Sequence, residues 1–196
     1  MTIRRPVCYA IAITAIFIFP VLPGTAASAS AQSGTPPTLA TDITATEIEA
    51  VAKTAEGTDR EIKIVDMGRY NLGVAVLRRS ALKPGGPASA INHTQLAEVY
   101  YIVSGAATLV TGGDVTNVKA LPATHELVTT IVGPTNTATF SKPAQVRKVA
   151  AGDVISIPAG VYHGWAEVPD HIEYVSVRPD VDKVLPAGYV NPTLKK

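Results

Sequence analysis

"GDVISIPAGVYHGW", residues 152–165, is the stretch on which the fold turns. Val154, Ile155 and Ile157 read as a short strand. Pro158 and Gly160 end it, because proline cannot donate to a sheet ladder and glycine permits the backbone angles of a sharp reversal. His163 then opens a new strand just past the turn, with Trp165 two residues on. Side chains alternate along a strand, so His163, Trp165 and Glu167 are expected on one face. A lone histidine at a strand start is commonly structural; whether His163 is a ligand depends on what other strands bring beside it.

The matching stretch upstream is "GGPASAINHTQLAEVYYIVSG", residues 85–105. It ends one strand at His93 and starts the next at Glu98, and the same alternation puts Tyr100 and Ile102 on the face of Glu98. Two imidazoles and a carboxylate suit a borderline divalent ion. Three such ligands with open positions are the donor set of non-haem iron oxygenases and of catalytic zinc sites.

The two stretches resemble the two motifs of the cupin superfamily, a small β-barrel. The first motif runs glycine, five residues, His-x-His, three or four residues, glutamate, six residues, glycine; Gly85, His93, Glu98 and Gly105 fall on that spacing. The second runs glycine, five residues, Pro-x-Gly, two residues, histidine, three residues, asparagine; Gly152, Pro158, Gly160 and His163 fit it without an insertion. The resemblance implies an all-β, jelly-roll-like barrel with His93, Glu98 and His163 as metal ligands. The ion it implies is divalent: Fe, Mn, Zn, Ni or Cu. Two positions depart from the family pattern. Ile91 stands where the first histidine belongs, leaving three ligands in place of four, and Glu167 stands in place of the final asparagine. Glu167 is a candidate general base or extra carboxylate ligand, with a solvated strand-end residue as the alternative. Tyr100 is a candidate catalytic residue, and with Trp165 a candidate wall for a small planar or apolar ligand; ordinary barrel filling is the alternative for both. His125 and His171 lie outside both motifs and are taken as non-ligands.

Residues 1–31 do not read as fold. Arg4 and Arg5, the apolar run "VCYAIAITAIFIFPVL" and the small residues of "TAASASAQ" have the layout of a secretory signal peptide. Cleavage after Ala29 or Ala31 satisfies the small-x-small rule, with Ala31 preferred; a retained membrane anchor is the alternative, against which stand the shortness of the run and Pro20. The expected location is therefore secreted or periplasmic, with no membrane association after cleavage. Cys8, the one cysteine, lies in this segment, so the mature chain has neither disulfide nor thiol chemistry. The 196-residue chain carries 17 Lys and Arg against 16 Asp and Glu, which gives no electrostatic case for nucleic acid.

Residues 32–41 read as a flexible leader and 42–196 as a single domain. Thr44 and Glu47 form a capping box, and Ile43 with Ile48 a hydrophobic staple, for one short helix. From residue 60 on, short alternating runs separated by Gly, Pro and Asn clusters argue for a barrel or sandwich. Residues 112–148 are the odd part and read as an insertion, either a lid hairpin or a decorated edge. The functional expectation is an exported metal-dependent enzyme acting on a small oxygen-rich organic molecule, by dioxygenase, isomerase, lyase or decarboxylase chemistry. A non-catalytic small-molecule binder with a structural or degraded metal site is the alternative. A homodimer is the expected assembly, since apolar strand edges are seldom left bare.

Overall fold

The structure, a computed structural model, describes residues 38–195; the signal-peptide reading and most of the leader lie outside them. Residues 38–44 run without secondary structure into α1 (Ala45–Ala52), which is capped as its sequence dictates: Glu47 N–H donates to Thr44 Oγ1 and Thr44 N–H to Glu47 Oε2. Ile43 and Ile48 pack on the cluster that α1 forms with the outer face of the first two strands, among Val51, Ile62, Val74 and Val76.

Seven antiparallel strands follow: β1 (Arg60–Asp66), β2 (Asn71–Leu82), β3 (Ser89–His93), β4 (Glu98–Ala120), β5 (Thr135–Ala150), β6 (Val154–Ile157) and β7 (His163–Asp180). The order is β1-β2-β7-β3-β5-β4-β6, and β4 also pairs with β7, which closes the ring β7-β3-β5-β4. The fold is all-β and jelly-roll-like. Its interior is apolar at one end, where Leu77, Ile102, Leu109, Val149, Trp165 and Ile172 pack together. Toward the start of β4 the interior turns polar.

Two strands run on through residues that punctuate the sequence. "EVYYIVSG" and "AATLVTGG" are both β4, because Gly105 bends the strand without ending it. Gly105 has φ +75°, and a Cβ there would sit 1.9 Å from the His171 carbonyl oxygen, so only glycine fits the close approach. "HGWAEV" and "HIEYVSVRP" are likewise one strand, β7. Residues 112–148 are the far half of β4, a connection with one π-helical turn (Leu127–Ile131), and most of β5. They form a long hairpin whose returning strand pairs with β3 from Ser89↔Thr139 to His93↔Thr135. The segment thus supplies a wall of the barrel beside the first motif.

Candidate metal centre

The turn at Pro158–Gly160 brings the two motifs together. Gly160 N–H donates to the His93 carbonyl (2.8 Å), and Asn92 Nδ2 donates to the Gly160 carbonyl (3.1 Å). Gly160 has φ +80°, which a side chain would strain. Beyond the turn, His163 pairs with Ile91 across β3 and β7. Ile91 therefore stands beside the ligands, where the missing histidine would have stood, while Asn92 points away and is held by Gly160 and Asn136.

His93, Glu98 and His163 converge. All three are buried, and one donor atom of each lies within 4.8 Å of the others. His93 Nε2 is 3.5 Å from Glu98 Oε1, and His163 Nε2 is 3.2 Å from Glu98 Oε2. Donors on a common ion at about 2.1 Å stand roughly 3–4 Å apart, so this spacing fits a metal.

The hydrogen bonds around the imidazoles fit it too. His163 Nδ1 lies 3.0 Å from the Val161 carbonyl, which can only accept, so Nδ1 carries the proton. Thr135 Oγ1 donates to the Gly133 carbonyl (2.9 Å) and is left to accept from His93 Nδ1 at 2.8 Å. In the neutral rings both Nε2 atoms then present lone pairs to the centre, the tautomer a metal-binding histidine needs. His163 Nε2 is buried and, though near Glu98, is off the line of a hydrogen bond, so it has no partner. A buried lone pair beside a carboxylate draws a cation, either a metal ion or a proton.

Protonation follows from these contacts. Burial pushes His93 down to about 3, with only partial compensation from Glu98. Burial acts the same way on His163, but the adjacent Glu98 carboxylate outweighs it and raises His163. Burial alone would raise Glu98; Arg178, His93 and His163 together hold it well below the usual carboxylate range. Tyr100 is pushed well above its ordinary range by burial and by Glu98, so it is a neutral donor, and its hydroxyl donates to Glu98 Oε2 at 2.6 Å.

Behind Glu98 lies a group that the motifs do not contain. Arg178, wholly buried on β7, donates from Nε to Glu98 Oε1 at 2.5 Å and from Nη2 to Asp59. Its Nη1 is 3.5 Å from Glu61 Oε2 without hydrogen-bond alignment, and neither Glu61 oxygen has another partner. Burial pushes Glu61 up to about 8, against the pull of Arg178. Gly73 makes room for this stack, since a Cβ there would meet Glu61 Oε1 at 2.9 Å. Ser176 completes the set, donating to Glu98 Oε1 at 3.4 Å. Sequence reasoning missed Arg178, Asp59, Glu61, Ser176 and Thr135. A signal existed for two of them, because Tyr174, Ser176, Arg178 and Asp180 share a period of two with the buried Ile172.

Glu167 does not join the cluster. Across β4 and β7, Leu109 faces Trp165 while the adjacent Thr108 faces Glu167, so Ala166 is an extra residue that bulges β7. The bulge reverses the alternation, and Val168 rather than Glu167 continues the buried face. Glu167 lies in a separate groove with Thr108 and Lys148 and contacts Thr108 Oγ1 at 3.5 Å. Trp165 is buried against Tyr174 in the barrel interior. His125 accepts from Leu127 N–H, and His171 bonds Ser104 and Asp170; neither approaches the cluster.

A cavity of about 590 Å³ opens onto His93, His163, Tyr100 and Trp165, with Ile91 in its wall. It is of the size that takes a small organic molecule.

No family model matches the sequence, and no curated relative matches it. Solved structures are similar at low identity. A protein from Bacillus halodurans has 14% identity and a TM-score of 0.45, over 81% of this chain and 93% of that one. A protein with a double-stranded β-helix domain from Klebsiella pneumoniae has 17% identity and a TM-score of 0.35, over 63% and 75%. The DMSP lyase of Ruegeria pomeroyi has 14% identity and a TM-score of 0.35; the match spans 64% of this chain and 45% of the lyase. With its two motif stretches folded side by side at the start of β4 and β7, the chain has the architecture of a closed, jelly-roll-like antiparallel β-barrel.

Proposed function

We propose that the protein is an exported enzyme that uses a divalent metal, held by His93, Glu98 and His163, to act on a small oxygen-rich organic molecule in the barrel cavity. The observation that carries this reading is the pair of imidazoles locked by Thr135 and Val161 with both Nε2 atoms turned to Glu98, one of them orphaned. Bound there, the ion would supply Lewis acidity toward substrate oxygens. The chain's own residues do the rest. Thr135 and the Val161 carbonyl fix the ring orientations, Tyr100 and Arg178 fix the carboxylate of Glu98, and Ile91 leaves one side of the centre free of a fourth protein ligand. The donor set suits Fe, Mn, Zn, Ni or Cu.

A second reading, a binding module with a structural or degraded site, is favoured by one observation. Glu98 already has a buried cation in Arg178, so its charge is balanced without a metal. Metal content separates the two. Near-stoichiometric metal in protein purified from an export host, lost in His163→Ala, is the expected result; metal-free protein that takes up none of the five ions on reconstitution overturns the enzyme reading. Export itself predicts an N-terminus at Ser30 or Gln32 outside the cytoplasm. Homodimerisation is proposed on Val154, Tyr101 and Val103, apolar and exposed near the β6 edge, and light scattering tests it.

A further inference from the structure

The cavity that opens onto the cluster carries a second chemical feature away from the ligands. At the end of β2, Leu77 lies inside the barrel opposite Tyr174, Arg78 is exposed and pairs with Glu173, and Arg79 is half-buried on the side of Leu77. Arg79 lines the cavity together with Lys83 at its rim, in the same space as His93 and His163.

Arg79 is poorly satisfied for a group so placed. Its Nη2 donates to the Gly57 carbonyl at 3.3 Å, and its Nε is buried with no partner. Among the described residues neither Arg79 nor Lys83 has a carboxylate within 4 Å. The one carboxylate in the cavity wall, Asp59, is engaged by Arg178. A buried guanidinium N–H without an acceptor is an expense the fold does not need, and a planar fork of donors matches a carboxylate. The intervening wall is aromatic and aliphatic, with Tyr100, Trp165, Tyr174, Leu77 and Ile91.

We propose that the cavity selects small organic carboxylates, with Arg79 as the specificity-determining residue that receives the carboxylate and Lys83 drawing the anion to the mouth. The proposal deepens the metal-enzyme reading by naming its substrate class, and it rests on that reading for the role of the cavity. Arg79 contacts the substrate's charged end, and the substrate's apolar or planar body lies along Trp165 and Tyr174.

Three carboxylates and their primary amides serve as probes: lactate and lactamide, benzoate and benzamide, acetate and acetamide. Titration calorimetry on the purified protein, with and without added Zn²⁺, measures each pair. At least one carboxylate is expected to bind roughly ten-fold or more tightly than its amide, the ratio a charge-assisted hydrogen bond gives. In Arg79→Gln that ratio falls to about one while zinc uptake is unchanged; in Arg79→Lys it is partly kept. Lys83→Gln, at an exposed position, keeps the ratio near equilibrium but weakens its salt dependence. No preference in any pair, or a preference that survives Arg79→Gln, overturns the proposal; if Arg79→Gln does not fold, Arg79→Lys with an undiminished ratio and unchanged salt dependence overturns it. Carboxylate preference in protein that takes up none of the five ions on reconstitution would sink the metal reading and leave this one standing.

Discussion

The two halves of β4 obey different rules although they form one strand. From Glu98 to Ile102 every second side chain is buried, and those side chains are Glu98, Tyr100 and Ile102, the start of the polar centre and the edge of the apolar core. From Gly113 to Ala120 nearly every residue is exposed, and the strand is held by the backbone ladder to β5. The first half has partners on both sides, β6 and β7; the far half has β5. Stability and chemistry are therefore concentrated where the strand is enclosed, and the far half should tolerate change except where it, or the strand it leads to, touches the cluster.

The largest expected break of this contrast is Arg178→Met. It leaves Glu98, Asp59 and Glu61 without their shared cation, and breaking a buried ion pair costs about 3–5 kcal/mol. Urea unfolding measures it, and a loss below about 1 kcal/mol would mean the enclosed half is not held by this network.

A pH dependence comes next. Glu61 is raised in the folded state from 4.5 to about 8. The folded protein then binds the proton more tightly than the unfolded chain, so the contribution is fully present below pH 4.5 and is lost as pH rises toward 8. In metal-free protein, stability should fall across that window by on the order of a few kcal/mol, and Glu61→Gln should flatten the slope. An unchanged slope in Glu61→Gln assigns the dependence elsewhere.

Thr135→Val sharpens the contrast, because Thr135 belongs to the hairpin's returning strand yet fixes His93. Losing such a support commonly lowers metal affinity about 10- to 100-fold. Competition with a chelator tests this, and unaltered affinity would separate the hairpin from the centre. Ile91→His addresses the opposite strand: it should raise metal occupancy by adding an imidazole beside His163, and a variant that melts earlier and binds no more metal would make Ile91 a plain packing residue. The smallest effect is expected at exposed positions of the hairpin. Val118→Thr and Val146→Thr, both exposed on the hairpin, should change stability by no more than about 0.5 kcal/mol in thermal melts.

By itself the sequence determined the parts that depend on neighbours along the chain. The capping box at Thr44 and Glu47, the turn at Pro158–Gly160, the strand end at His93 and the strand starts at Glu98 and His163 are all set within a few residues, by hydrogen bonds and backbone limits that local spacing records. Alternation then placed Tyr100 and Trp165 inside correctly, and failed at Glu167. Only the tertiary structure decided that position, because the bulge at Ala166 arises from how β7 registers against β4. It also decided the company of the cluster. Arg178 reaches Asp59 and Glu98 across 119 and 80 residues of chain, and Thr135 reaches His93 across 42. Alternation along β7 marks Arg178 as inward-facing, but which residues it meets depends on which strands the closed sheet sets side by side.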